Sequence, residues 1–357
     1  MKLNKILLVI MLVFFTFMAL YSAWNDLKDD QRLLNNISSV KNSLNHIAEI
    51  NGVIIQLQRE RGLTAIYHAN PNDSTQTALT AQRKETTTVL NAPYTTIQIE
   101  KITRERDPLI HQADQTNEVA DLVFERYSTI IERLMQRSED LIFETEDPDT
   151  KDLLIIYHLL KNAQESAGRI RAKVGTPLSI QTLSDQNPED IIALNAIYLN
   201  LISKSERHMP PRFSSLISDF EMKPCVSQTF SIVQDSNKRV LNRLTITPLE
   251  WFKTSTCAID HLNSWSDYHL NILQTNINMT EAAAKSTLIK HLVFWSGGLI
   301  TLLILLIIVV KHSKALARKH QLLANYQEAI DYSTIVSKAD KNGVITYVNN
   351  AFCEISG

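Results

Sequence analysis

Two short stretches carry paired arginines: Leu57-Gln58-Arg59-Glu60-Arg61-Gly62-Leu63-Thr64 and Ala167-Gly168-Arg169-Ile170-Arg171-Ala172. Residues two apart on a helix point about 200° away from each other, so one arginine of each pair faces a bundle interior and the other faces out. Apolar spacing selects which. Ile47, Ile54 and Arg61 recur at sevens with Leu57 one turn before Arg61, and Leu160, Ala167 and Arg171 share a stripe in the same way. Arg61 and Arg171 are the inward candidates; Arg59 and Arg169 read as outward, solvated charges. A guanidinium keeps its charge, so an inward one must meet an acid, backbone carbonyls or a bound anion. On the residues alone the acid is the stronger reading, with Glu165 pairing Arg61 across the bundle.

No other constellation competes. The ten histidines form no tight ligand set; His261 and His269 are about two turns apart on one helix, which rarely supplies a metal site alone. No metal, no cofactor and no catalytic residue is expected. The net charge of -2 and the lack of a Lys/Arg run exclude nucleic acid as a partner.

The elements that must position the arginines are helical. The chain has 357 residues, of which only 8 are glycine and 10 proline, too few turn-makers for a β-rich fold. Ile6 to Trp24 is an almost unbroken apolar run preceded by Lys2 and Lys5, and Leu292 to Val310 is a second, flanked by Lys290 and Lys311. The first is long for a signal peptide and has no good cleavage site, so it reads as an uncleaved anchor. Lys2 and Lys5 before the first run, and Lys311, Lys314, Arg318 and Lys319 after the second, place both ends in the cytoplasm and the middle outside. The expected arrangement is a cytoplasmic N-terminus (1–5), a transmembrane helix (6–24), an extracytoplasmic helical sensor (25–290), a second transmembrane helix (291–311), a cytoplasmic linker helix (312–331) and a short α+β segment (332–357). Cys225 and Cys257 fall in the outer part, where an oxidising compartment allows them to pair; sequence leaves open whether their Cα atoms come within about 7 Å.

Along the chain, Leu33, Ile37, Val40, Leu44, Ile47 and Ile54 continue a 3-4 alternation from the first span, interrupted by Asn51 and ended by Asn70-Pro71-Asn72-Asp73. That seam can pack within the subunit or against a second copy, and a homodimer is expected. Leu109 to Thr145 reads as one helix with Val119, Leu122, Tyr127, Ile130, Ile131, Leu134 and Leu141 on its apolar side. The next, from about Thr150 to Val174, is expected to stop at Gly175-Thr176-Pro177. A helix from Pro188 to Glu206 follows. Thr247-Pro248-Leu249-Glu250 is a capping box with proline at N1, opening a helix with no breaker before the second span. Beyond the linker, Ile335 to Ala339 and Val344 to Val348 read as a hairpin turning at Asp340-Lys341-Asn342-Gly343.

Two resemblances refine this. Ala339-Asp340, Gly343-Val344-Ile345, Tyr347-Val348-Asn349, Ala351-Phe352 and Ile355-Ser356-Gly357 resemble the opening of a PAS domain, which implies a relay or second sensor followed by an output module such as a diguanylate cyclase, phosphodiesterase or histidine kinase. Leu57 to Leu63, Glu165-Ser166-Ala167-Gly168 with Arg171-Ala172, and Trp251-Phe252 with Ile259-Asp260 resemble the nitrate- and nitrite-sensing (NIT) domain of bacterial receptors. That family is a helical bundle whose inward arginines hold a planar anion, and the resemblance selects Arg61 and Arg171. Nitrate suits them, because a guanidinium fork gives two parallel hydrogen bonds to two of its oxygens. Thr64, one turn after Arg61, would add a hydroxyl. Ile170 stands where the family tends to have an acid, and Ala258 where a basic residue is expected, so a third arginine is open, with Arg239 and Arg243 as candidates.

The expected fold is mainly α, a membrane-anchored extracytoplasmic helical bundle between two transmembrane helices with a truncated PAS-like C-terminal segment. The expected function is a receptor in the cytoplasmic (inner) membrane of a bacterium, with its sensor in the periplasm, binding nitrate, nitrite or a small carboxylate. The alternatives are the N-terminal part of a sensor enzyme answering another ligand, and a scaffold whose outer bundle binds a protein.

Overall fold

The computed structural model describes residues 2–92, 99, 101, 103–115, 120–144, 148–180, 187–209, 220, 222–237 and 246–356. The chain divides into two compact units, Arg32–Ala284 and Met1–Gln31 with Lys285–Gly357. Two long helices, α1 (Lys2–Ala69) and α8 (Pro248–Ser333), contribute to both.

The larger unit packs α1 and α8 with α2 (Asp73–Leu90), α3 (Arg106–Gln115), α4 (Ala120–Phe143), α5 (Pro148–Ile180), α6 (Asn187–His208) and α7 (Pro224–Asn237). Leu44, Ile47, Ile54 and Leu57 of α1 meet Tyr127, Ile131 and Leu134 of α4, Leu154 and Tyr157 of α5, and Leu270 and Leu273 of α8 in one core. A second core joins Ile156, Leu160 and Ala163 of α5 to Tyr198, Val226, Leu262 and Trp265. Most positions of the stripes expected from spacing are buried; Val40 and Ala167 are partly buried, Leu33 and Leu122 are exposed, and Val119 lies outside the described residues. Asn51, the polar interruption in the α1 seam, is buried and donates to Asp267 (3.3 Å) in a polar layer with Lys161.

Helix ends follow capping chemistry. Asn72 caps α2, accepting from the Thr75 amide (3.0 Å) while the Thr75 hydroxyl accepts from the Asn72 amide (3.2 Å). Thr247 and Glu250 exchange the same reciprocal bonds at the start of α8 (2.9 and 3.2 Å).

Within the span read as one helix from Leu109 to Thr145 the described residues form α3 and α4, with residues 116–119 between them outside the described ones; α3 starts before Pro108, whose missing N–H falls in the first turn where no intrahelical partner exists. One expectation fails: α5 does not stop at Gly175-Thr176-Pro177 but runs to Ile180 with Pro177 inside. Burial overrides the breaker, because Val174, Gly175, Pro177 and Ser179 are all buried and Gly175 packs on Ile66 of α1. The Ser179 hydroxyl also donates to the Gly175 carbonyl (2.9 Å). Cys225 and Cys257, left open by sequence, are joined in a disulfide with Cα atoms 6.1 Å apart, tying α7 to α8.

In the smaller unit, α1 and α8 carry apolar side chains such as Phe14, Phe17, Leu303 and Ile307 exposed. Among the described residues one helix, α8, has a stretch long and apolar enough to cross a membrane, and none of that stretch is buried within the protein. Asp30 and His291 pair at 2.7 Å, and the Trp295 indole donates to Asp26 (3.1 Å). The hairpin is present: β1 (Ser337–Ala339) and β2 (Ile345–Val348) pair antiparallel. Gly343 takes the left-handed conformation (φ 84°) that the turn needs. Asn349 accepts from the Val336 amide (2.9 Å) and from the Phe352 amide (3.1 Å), capping α9 (Asn350–Ser356).

Candidate anion site

The two arginine stretches meet where α1 crosses α5, because each supplies a glycine at the point of closest approach. A Cβ on Gly168 would lie 3.3 Å from Nη2 of Arg61, and one on Gly62 would lie 3.2 Å from Nε of Arg171 and 2.9 Å from a ring carbon of Phe252. Each helix thus lays its inward arginine over the other's glycine. Both arginines are 1% exposed.

Arg61 is engaged at both terminal nitrogens. Nη1 donates to Glu165 Oε1 (2.6 Å) and Ser128 Oγ (2.9 Å), and Nη2 donates to Glu165 Oε2 (3.1 Å). Its guanidinium carbon sits 5.0 Å from the Phe124 ring centre. Glu165 also accepts from Gln58 Nε2 (2.9 Å) and Arg169 Nε (2.8 Å). Burial alone would raise the Glu165 carboxyl, but Arg61 and then Arg169 hold it below its usual value.

Arg171 is held differently. Nη1 donates to the Thr256 hydroxyl (2.7 Å) and Nη2 to the backbone carbonyl of Gln58 (2.8 Å), with Phe252 beneath it at 4.6 Å. Among the described residues no carboxylate pairs with it. Burial, ahead of repulsion from Arg61 and Arg59, pushes Arg171 down to about 9. The Nε atoms of Arg61 and Arg171 are both buried without an acceptor among the described residues. A site with one positive charge in excess and two guanidinium nitrogens without an acceptor among the described residues has the chemistry to receive an anion.

The other expected positions fall as follows. Thr64 is buried, and its hydroxyl donates to the Glu60 carbonyl in its own helix (2.8 Å), leaving its lone pairs rather than its proton for a neighbour. Arg59 and Arg169 are partly exposed, as expected of outward charges, but each is paired rather than free. Nη2 of Arg59 donates to both oxygens of Asp260 (2.8 and 2.9 Å), and Arg169 bridges Glu165 to Glu132 (2.7 Å). Helical spacing places a side chain on a face but is blind to the acids facing it. Arg239 and Arg243 lie outside the described residues.

Sequence reading missed a second buried charge cluster beside the first. Glu60, fully buried, receives Arg106 Nε (3.1 Å to each oxygen), Arg106 Nη2 (2.9 Å) and the Tyr127 hydroxyl (2.6 Å). Arg104-Glu105-Arg106 is a third Arg-x-Arg pair, so the signal was present, in a stretch without apolar periodicity to orient it. Thr256, Ser128 and the two phenylalanines were missed for another reason, since nothing in a hydroxyl or a ring announces an arginine partner.

A family described as nitrate and nitrite sensing (NIT) matches residues 52–270, which include Arg61, Arg171 and Phe252. The chain belongs to the NIT family. The structure of the NasR transcription antiterminator has the same fold over 73% of this chain and 80% of that one, with a TM-score of 0.53 at 13% identity. No curated protein matches the chain. The NIT segment lies within the larger unit and contains the whole arginine crossing.

Proposed function

We propose that the protein is a membrane receptor whose NIT bundle binds nitrate or nitrite between Arg61 and Arg171 and passes the event along α1 and α8. The observation that carries this reading is Arg171, a buried guanidinium without an acid, one helix crossing away from Arg61. A planar monoanion placed there would cancel the excess charge and accept from the two orphaned Nε–H groups. Glu165 already fills the fork of Arg61, so the anion would share that arginine or displace the carboxylate towards Arg169 and Gln58.

The sensor would lie outside the membrane, in a periplasm, with the spans at residues 6–24 and 291–311. A homodimer would place two such bundles side by side. The hairpin and α9 would begin a PAS domain that hands the signal to an output module. An anion can drive this only by binding one packing of α1 against α8 better than another, and a coupling of about 1 to 3 kcal/mol is sufficient.

Thermal melts of the full chain in lipid nanodiscs test the site. Nitrate or nitrite should raise the melting temperature of the parent and leave Arg171→Met unmoved, while chloride at equal ionic strength does neither. Losing one charge-assisted pair, worth about 1.5 to 3 kcal/mol, should weaken binding tenfold or more. A parent that ignores both anions refutes the ligand. Alkaline phosphatase fusions after residues 100 and 190 should be active and one after 325 inactive; inactive outer fusions refute the topology.

A further inference from the structure

The corner where α7 meets α8 holds a ligand set that the disulfide uses only in part. Cys225 and Cys257 are bonded there, and the ring of His261 stands beside them, with one donor atom from each of the three residues within 4.8 Å of the other two. Cys257 and His261 are four apart on α8 and so share a face one turn apart, while Cys225 comes from the first turn of α7. Along its own helix His261 had only His269 for company; the fold brings it two sulfurs instead. All three residues keep some exposure. No other three His, Cys, Asp or Glu side chains among the described residues gather in this way.

Thiolate sulfur and imidazole nitrogen are the ligands that Zn²⁺ prefers, whereas hard ions such as Mg²⁺ and Ca²⁺ take oxygen. Two sulfurs at about 2.3 Å and a nitrogen at about 2.0 Å from a zinc ion would lie roughly 3.5 to 3.8 Å from one another in a tetrahedron. That spread falls inside the present limit of 4.8 Å. With the two Cα atoms 6.1 Å apart, rotation of the cysteine side chains alone lets the sulfurs part that far. A helix N-terminus favours thiolate over thiol, and Cys225 occupies one. The imidazole of His261 has no hydrogen bond or ion pair among the described residues, so nothing has to be broken to recruit it. Water would fill the fourth position, as it does in other zinc sites with three protein ligands.

We propose that, once the disulfide is reduced, Cys225, Cys257 and His261 bind Zn²⁺, so that a metal clasps α7 to α8 where a covalent bond did before. A dithiol reductant supplies the two electrons and two protons: one of its thiolates attacks a sulfur of the disulfide, and its second thiol resolves the mixed disulfide, leaving two thiols here and a disulfide on the reductant. Zn²⁺ then replaces the two thiol protons, which leave to water, while the neutral imidazole gives a lone pair. The site stands whether or not the arginines take nitrate. It adjoins them nonetheless, because Thr256, which accepts from Arg171, precedes Cys257, and Asp260, which accepts from Arg59, precedes His261.

The full chain in nanodiscs, reduced with a water-soluble phosphine that does not compete for zinc, is titrated with Zn²⁺ and, as a coloured stand-in, Co²⁺. A single equivalent should bind, Co²⁺ should give the near-ultraviolet absorbance of a thiolate-bound ion, and Zn²⁺ should restore most of the melting temperature that reduction removes. Mg²⁺ and Ca²⁺ should do neither. His261→Ala should weaken zinc binding to the reduced protein tenfold or more, whereas His208→Ala, exposed on α6, should bind as the parent does. The oxidised protein, whose sulfurs are tied to each other, should show no such site. Equal binding by the oxidised and reduced forms would overturn the proposal, as would unchanged binding in His261→Ala. Should reduction unfold the bundle before metal is added, Zn²⁺ is given first: protection of the parent's melt but not that of His261→Ala is then expected, and equal melts overturn the proposal.

Discussion

Gly168 lies so close to Arg61 that a single added carbon would stand 3.3 Å from its Nη2. Gly62 answers on the opposite helix, with Phe252 at 2.9 Å and Arg171 Nε at 3.2 Å from the same hypothetical carbon. Neither glycine is needed for backbone freedom, since both sit in helices; they are needed for the space their side chains leave. Gly62→Ala should therefore destabilise the bundle more than Gly168→Ala, because Phe252 is pinned under Arg171 whereas the end of Arg61 can yield slightly. Gly52, on the same helix with nothing within 4 Å, is the control, and Gly52→Ala should stabilise by about 0.5 to 1 kcal/mol through helix propensity. Chemical denaturation of the three variants gives the ordering.

The Arg61–Glu165 pair and Arg171 should respond oppositely to truncation in the absence of anion. Arg61→Ala breaks a buried pair and should cost about 3 kcal/mol, at the low end for such breaks because Arg169 and Gln58 still hold Glu165. Arg171→Met removes a buried charge that no acid balances and should cost far less or even stabilise, the loss of its bonds to Thr256 and Gln58 offsetting the relief. Equal losses in the two variants would mean that Arg171 is an ordinary structural cation.

Lys161 makes stability depend on pH at the alkaline end. Its ammonium donates to Asn263 and to Gln164 (3.2 Å), and Asp267 stands 3.6 Å away, yet burial outweighs Asp267 and pushes it down to about 8 from 10.5. Between those values the unfolded chain binds the proton and the folded chain does not, so stability should rise by about 3 kcal/mol as pH climbs from 8 to 10.5. Below pH 8 both states are charged and the penalty is constant. Denaturation midpoints across this range should show the rise in the parent and a flatter profile in Lys161→Met.

The disulfide closes a loop with a sequence separation of 32 residues, which restricts the unfolded chain by roughly 3 to 4 kcal/mol. Reduction, or Cys225→Ser with Cys257→Ser, should lower the melting temperature and loosen α7 first, since α7 is short and α8 is anchored along its length. Hydrogen exchange localised to α7 in the reduced protein is the expected signature.

Sequence alone determined what period and punctuation determine. The 3-4 spacing of Ile47, Ile54 and Leu57 oriented Arg61 inward, the Thr247–Glu250 box opened α8, and Asp340 to Gly343 turned the hairpin, because each depends on neighbours within one or two turns. Pairing was beyond its reach. That Arg61 meets Glu165, that Arg59 meets Asp260, and that Arg106 is buried against Glu60 were decided by which helices cross and where. The same holds for Pro177, whose helix-breaking tendency is local but yields to the burial of the turn around it. Arg171 shows the division most clearly: spacing says that it is inside, but only the crossing of α1 and α5 leaves it there without a paired acid among the described residues, the feature on which the proposed anion site rests.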